Sequence, residues 1–222
     1  MTAAIEICGA ALEADLSGAL YWPDQRLLAV ADLHFEKGSS FARFGMLVPP
    51  YDTATTLAAL GRVIARFEPA IVVALGDSFH DGGGPARLSP ADRAALAGLQ
   101  RGRDWIWIAG NHDPDPAESV GGVFTHSLAV GPLTFRHIPE GGAGEIAGHL
   151  HPAARIARRG HTIMRRCFAA DRTRMVMPAF GAYTGGLSIR DRAFAAVFGA
   201  RDFSAHLIGG RRLYTFPAAH CV

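Results

Sequence analysis

The chain has 222 residues, 49% hydrophobic and 19% charged, which excludes disorder, a collagen-like fibre and a coiled coil and fits one globular domain over residues 1–222. No apolar run approaches the ~18 residues that span a bilayer, and no basic residue precedes Arg26, so neither a membrane segment nor a secretory leader is expected and a cytoplasmic location is. The net charge of +2 hides a split: residues 1–151 carry 10 Lys+Arg against 17 Asp+Glu, and residues 152–222 carry 12 Arg against 3 Asp.

In chain order, residues 27–31 read as a buried strand ending at Asp32. Asp52 stands as the N-cap of a helix to about Phe67, with Leu57, Leu60, Ile64 and Phe67 near helical spacing. Residues 71–75 form a second buried strand, ending at Gly76-Asp77. Ser89-Pro90 supplies an N-cap and a first-turn proline for a helix to about Leu99. Residues 105–109 form a third strand, ending at Gly110-Asn111-His112-Asp113. This is the strand–helix alternation of parallel crossovers. From Gly122 onward the helical pattern gives way to short strands at 133–137, 145–147, 162–169, 174–177, 195–198, 205–208 and 212–216, read as mostly antiparallel sheet. The simplest architecture is two packed sheets with helices outside. Cys8, Cys167 and Cys221 form no CxxC pair, so reduced thiols are expected.

Polar residues follow nearly every predicted strand. Asp32-Leu33-His34 comes after the first, Gly76-Asp77 with His80 and Asp81 after the second, and Gly110-Asn111-His112-Asp113 after the third. His137 and Gly148-His149-Leu150-His151 close two later strands, so six of the ten histidines lie in these segments. Strand ends of open α/β sheets form the ligand crevice, where residues far apart in sequence converge. Two Asp, one Asn and several His offer oxygen and nitrogen donors without sulfur. That set suits Mn²⁺, Fe or Zn²⁺ in a hydrolytic site better than a structural zinc. On an extended Asp-x-His segment alternate side chains point the same way, so Asp32 and His34 are expected to grip one metal, and His149 and His151 to face one site. Singly, each piece has a structural explanation, such as an Asx turn or a hydrogen-bonded core histidine. The ordered series is far more specific.

That series resembles the signature of the calcineurin-like metallophosphoesterase superfamily, over residues 32–151. The segments Asp32-Leu33-His34-Phe35-Glu36-Lys37-Gly38, Pro49-Pro50-Tyr51-Asp52, Leu75-Gly76-Asp77-Ser78-Phe79-His80-Asp81 and the stretch from Met177 to Gly186 look like its PdeM group, described as ligase-associated DNA damage response endonucleases. The resemblance implies a four-layer αββα sandwich, two mixed β-sheets flanked by helices. It implies a hydrolase with two divalent ions, Mn²⁺ foremost and Fe or Zn²⁺ as alternatives. It implies Asp32, His34 and His151 on the first metal, Asn111, His137 and His149 on the second, and Asp77 bridging both. His112 is implied as the acid beside the scissile phosphate. His80 either orients a metal-bound water, touches substrate or is a turn histidine, and Asp113 either polarises His112 or caps a turn. The group's gene neighbourhood implies a DNA ligase, a helicase and an exonuclease as pathway partners.

Two divalent ions ~3.5–4 Å apart would neutralise a phosphodiester, lower the pKa of a bridging water and align it for in-line attack. The metal site alone does not choose a substrate. DNA, single-stranded or unpaired, is favoured by the PdeM-like motifs and the basic C-terminal part. Arg158, Arg159, Arg165 and Arg166 follow the Gly-His-x-His ligands, either as a phosphate-binding face or as solvated strand residues. Tyr183 is a candidate to stack on an unpaired base, whereas Phe180 suits core packing. The alternative is a small-molecule phosphomonoesterase or nucleotide phosphodiesterase on the same dimetal site.

Overall fold

Period-two alternation decides the architecture. In β4 (Leu27–Val30), Leu27 and Ala29 turn into one apolar core while Leu28 and Val30 turn into another. A strand buried on both faces needs a layer on each side. The computed structural model, which describes residues 2–114, 118–158, 160–199 and 202–222, supplies both.

Ahead of β4, β1 (Thr2–Ile7), β2 (Ala10–Asp15) and β3 (Leu20–Trp22) form an antiparallel meander that pairs onto it. After it, α1 (Lys37–Ala42) and α2 (Asp52–Phe67) cross to β5 (Ile71–Leu75), and α3 (Gly84–Arg87) and α4 (Pro90–Gln100) cross to β6 (Asp104–Ile108). With β7 (Val123–Thr125), the strands β4 to β7 pair in parallel, and the first sheet runs in sequence order. The second sheet takes β8 (Ser127–Val130), β9 (Leu133–Arg136), β10 (Glu145–Ala147), β11 (Pro152–Arg158), β12 (His161–Ala170), β13 (Arg174–Val176) and β14 (Leu187–Ser188). Beyond α5 (Arg192–Phe198), β15 (Ser204–Ile208) and β16 (Leu213–Pro217) complete it.

Between the sheets, Leu12, Trp22, Leu75 and Ile108 meet Phe135, Ile146, Phe168 and Met175. Outside the first sheet, Leu57, Leu60 and Ile64 of α2 and Leu96 of α4 cover Leu28, Val30 and Val72. Outside the second, Phe194, Val197 and Phe198 of α5 cover Cys167, Ala169 and Ala205. The result is the expected αββα layering, with mixed sheets. No helix among the described residues is long and apolar enough to cross a membrane. The three cysteines are free, and burial pushes the Cys167 and Cys221 thiols up.

Several expectations are corrected. The strand at 195–198 is the last turn of α5: Asp191 caps it by accepting the Ala193 N–H at 2.9 Å, and Phe194, Val197 and Phe198 recur at helical spacing on its buried face. Asp52 is not the N-cap of α2 but its first residue, and its buried carboxylate accepts the Gly38 N–H at 3.1 Å. The second sheet is less antiparallel than expected, because β10 pairs in parallel with both β9 and β13, and β11 with β14. That parallel core sends the carboxyl ends of β9 and β10 to the same rim as those of β4, β5 and β6.

Replacing Asp191 by alanine should lower stability by ~1 kcal/mol, the usual worth of an N-cap. It should appear as a lower urea midpoint with an unchanged m-value; no change would mean that the cap does not hold α5.

Candidate metal centre

Five candidate ligands lie on left-handed backbone: Asp32 (φ 52°), His34 (φ 45°), Asp77 (φ 45°), His149 (φ 68°) and His151 (φ 44°). The Asp32-to-His34 segment is therefore a coiled turn, and the extended geometry expected for it is corrected. Each such residue costs roughly 1–2 kcal/mol in a chain of L-residues. Hydrogen bonds between the turns hold them: the His34 N–H donates to Asp77 O at 2.9 Å and the Phe35 N–H to Ser78 O at 2.8 Å. The His149 N–H donates to both oxygens of Asp32, at 3.1 Å each. Strain of this kind gathers at functional sites.

The turns assemble two groups of donors. Ligand atoms of Asp32, His34 and His151 lie within 4.8 Å of one another, and so do those of Asp77, His137 and His149. His149 and His151 thus belong to different groups, contrary to the one-site expectation from alternation and in keeping with the division implied by the resemblance. Asn111 presents Oδ1 2.9 Å from His137 Nε2, joining the second group. The groups touch where His137 Nδ1 of the second lies 3.8 Å from Asp32 Oδ1 of the first, while its Nε2 lies 3.3 Å from Asp77 Oδ1 within its own group.

The donor set fits divalent cations. His137 is buried, and its Nδ1–H donates to Leu75 O at 2.8 Å, which aims Nε2 at Asp77, Asn111 and His149. Fixing one ring nitrogen to a carbonyl to present the other is the usual outer support of a ligating histidine. His34 Nε2 and His151 Nε2 face each other at 3.4 Å, and His151 Nε2 lies 3.3 Å from Asp32 Oδ1. Burial holds His34 near a pKa of about 3, so it offers a neutral ring. Burial alone would raise Asp77, yet the His137 hydrogen bond and charge with the His112 N–H hold it below the usual carboxylate range. His137 resists the lowering effect of burial because Asp77 and Asp32 raise it.

His112 is partly exposed over this centre. Its N–H donates to Asp77 Oδ1 at 2.9 Å, its ring Nδ1 meets His80 O at 2.8 Å, and Nε2 stands 4.0 Å from Asp77 Oδ2. Its ring stacks on His80 at 5.2 Å, and His80 Nδ1 lies 3.4 Å from His34 Nδ1. Burial lowers the pKa of His80. Asp113 caps turns, accepting the Gly110 N–H at 3.2 Å and the Phe79 N–H at 3.0 Å, and burial raises it to about 6.

Of the four candidate arginines, the two whose side chains are described do not share a face. Arg165 and Arg166 are neighbours on β12 and project to opposite faces. Arg165 is exposed, while Arg166 is half-buried and donates to Ala179 O at 2.6 Å. Arg159 and the Arg158 side chain lie outside the described residues. Tyr183 is exposed beside the centre. Two supports escaped the sequence reading. Glu36 accepts hydrogen bonds from Thr53 Oγ1 and Ser39 Oγ. Arg87 grips Asp81 with both ends of its fork at 2.8 Å and Ser39 Oγ at 2.9 Å. Together they tie the turn after β4 to the turn bearing His80. Glu36 and Asp81 sit inside the quoted motifs, but nothing local marks Arg87 as their partner.

Residues 25–158 match the model of the calcineurin-like phosphoesterase family. The crystal structure of the Pseudomonas putida nuclease MPE aligns with a TM-score of 0.73 and 29% sequence identity, over 97% of this chain and 100% of that one. Among curated proteins no match was found.

A Cβ on Gly110 would lie 2.1 Å from Asp77 N and 2.3 Å from Asp77 Oδ1. Gly110→Ala removes no ligand but must displace Asp77. It should weaken divalent-metal affinity by about 10–100-fold, as loss of outer support does, measured by competition with a chelator; wild-type affinity would show that the placement of Asp77 does not matter.

Proposed function

We propose, on the premise that the chain belongs to the calcineurin-like phosphoesterase family and is a metal-dependent phosphodiesterase, that it acts as a DNA endonuclease in DNA repair. The observation that carries this reading is the pair of touching donor groups with His112 above them. Asp32, His34 and His151 would hold one divalent ion, Asn111, His137 and His149 the other, and Asp77 would serve both. We take the ions to be Mn²⁺ ahead of Fe or Zn²⁺, as the mixed oxygen and nitrogen donors suggest. When bound, the ions supply charge neutralisation and activation of water.

The chain's own groups do the rest. Because the His112 Nδ1–H donates to His80 O, the proton it would pass on is the second one, carried by the imidazolium at Nε2, the atom facing the centre. From there it protonates the leaving alkoxide or, as imidazolium, offsets charge on the phosphorus oxygens. His80 backs the His112 ring and supplies the carbonyl that orients it.

Three things support DNA as substrate: the likeness to a nuclease, the excess of arginine after residue 151, and the exposure of His112, which leaves the centre within reach of a large substrate. Arg165 offers an exposed guanidinium, one nitrogen of which donates to Met164 O at 3.0 Å, for the strand's backbone, whereas Arg166 works through the Ala179 carbonyl. The PdeM-like motifs support a repair role alongside a ligase, a helicase and an exonuclease, in the cytoplasm. One domain over residues 1–222 accords with a core drawn from both sheets.

A circular single strand has no ends, so only an endonuclease opens it. With Mn²⁺ the protein should linearise such circles, and EDTA should abolish the cut; intact circles beside rapid phosphomonoester hydrolysis would transfer the site to small-molecule chemistry. Asp77→Ala should remove activity most completely. His112→Asn should keep both ions but slow an ordinary diester by ~10²–10⁴. The loss should shrink on p-nitrophenyl esters, whose leaving group scarcely needs a proton; equal loss on both would assign His112 to charge stabilisation.

A further inference from the structure

Beside the metal centre lies an apolar recess that joins Tyr183, the candidate for base stacking, to residues with no role so far. Lys37, Phe41, Val48, Pro49 and Tyr183 line about 280 Å³. One wall is Phe41, whose ring meets His80 edge-on at 5.3 Å. Since His80 contacts His34, the recess opens one ring away from a candidate ligand.

The opposite wall is Tyr183, an exposed aromatic residue at φ 60°. Left-handed backbone under a bulky side chain is a true outlier, and its loop is pinned in that shape. The Phe180 N–H donates to Ala31 O at 2.8 Å, and the Gly181 N–H to Asp32 O at 3.2 Å. The Ala182 N–H donates to Thr56 Oγ1 at 2.9 Å. A Cβ on Gly181 would stand 2.0 Å from Leu33 O, so only glycine lets the loop lie this close. The loop that bears Tyr183 is therefore set, through Gly181, against the backbone of Asp32 and Leu33. In the chain segment that supplies Phe41, Val48 and Pro49, Phe44, Met46, Leu47 and Tyr51 are also exposed, Leu47 at 88%.

The chemistry of the recess names its occupant. Two aromatic rings and a proline suit a flat π-face. The volume is below the ~300–1,000 Å³ of pockets that enclose a whole ligand, so it admits a fragment. Lys37, the only lysine in the chain, holds its ammonium 5.6 Å above the Phe41 ring, a cation beside the recess. An anion joined to a flat apolar group meets both needs. Resting on the DNA reading above, we propose that the Phe41–Tyr183 recess takes one unpaired nucleobase next to the scissile phosphate. A base still paired in a duplex is not free to enter, so the recess selects single-stranded DNA. Stacking tolerates every base, so it selects strandedness without sequence.

The test is an abasic scan. A labelled oligothymidylate carries one abasic residue moved stepwise along the strand; affinity is read by fluorescence anisotropy in Ca²⁺ and cutting in Mn²⁺. The wild type should lose on the order of 10- to 100-fold in both when the abasic residue falls at one position relative to the cut, in line with stacking energies. Tyr183→Gly, which relieves the backbone, should erase that penalty, and Tyr183→Phe should keep it. Phe41→Leu provides an independent arm, with thermal melting and metal content certifying each fold. A penalty that persists in both Tyr183→Gly and Phe41→Leu, or that is absent from a wild type that cuts intact strands, overturns the proposal. Absence of the penalty together with a dimer that Tyr183→Gly dissociates would assign the surface to a second copy of the chain. A wild type that neither binds nor cuts any strand would overturn the DNA reading itself, and this proposal with it.

Discussion

Asp32 and Asp77 are carboxylates taken almost wholly out of water, and the rest of the site follows from what that demands. An unpaired charge there would cost several kcal/mol. Asp32 is met by the His149 N–H, His151 and His137; Asp77 is met by the His112 N–H and His137. Every one of these partners comes from a different strand end than the carboxylate it serves. The two sheets are thus held in one relative position by electrostatics as well as by the core between them. For amides to point at carboxylates the chain must turn back sharply at each strand end, and the left-handed residues are the consequence. Their strain is outweighed because relaxing any one turn would strand a buried charge.

Where one physical signal dominated, it was legible in the chain. β5 and β10 fall where apolar runs bounded by turn residues placed them. The Ser89 cap was legible from Ser-Pro alone, and the Ser89 hydroxyl does accept the Asp92 N–H. The residues that gather into the two donor groups were legible as residue types at strand ends, without any contact being known. How His149 and His151 divide was not available from alternation, because alternation presumes an extended backbone and this segment coils. Only the family resemblance carried that division.

The remainder was hidden for identifiable reasons. Arg192–Phe198 is Ala- and Phe-rich and short, so strand and helix readings are nearly degenerate; the cap at Asp191 tips it toward helix. β11 carries Arg155 and Arg158 among its alanines and has too little apolar content to announce a strand. That Arg165 and Arg166 face apart was hidden because sequence proximity says nothing of faces, and on β12 adjacent residues diverge. The Phe41–Tyr183 recess joins residues 142 positions apart, beyond the reach of any local pattern.

Asp32 and His149 are separated by 117 positions, and that interval is also an interval of time. A chain synthesised at ~5–20 residues per second makes Asp32 roughly 6–23 s before His149. Asp77 joins Asp32 within that interval, ahead of the partners from β9 and β10. Until those partners are made, a nascent chain cannot assemble the phosphoester-cleaving centre. Dividing the candidate ligands between an early and a late sheet makes synthesis past His151 a precondition of the chemistry, whatever else the chain has still to add.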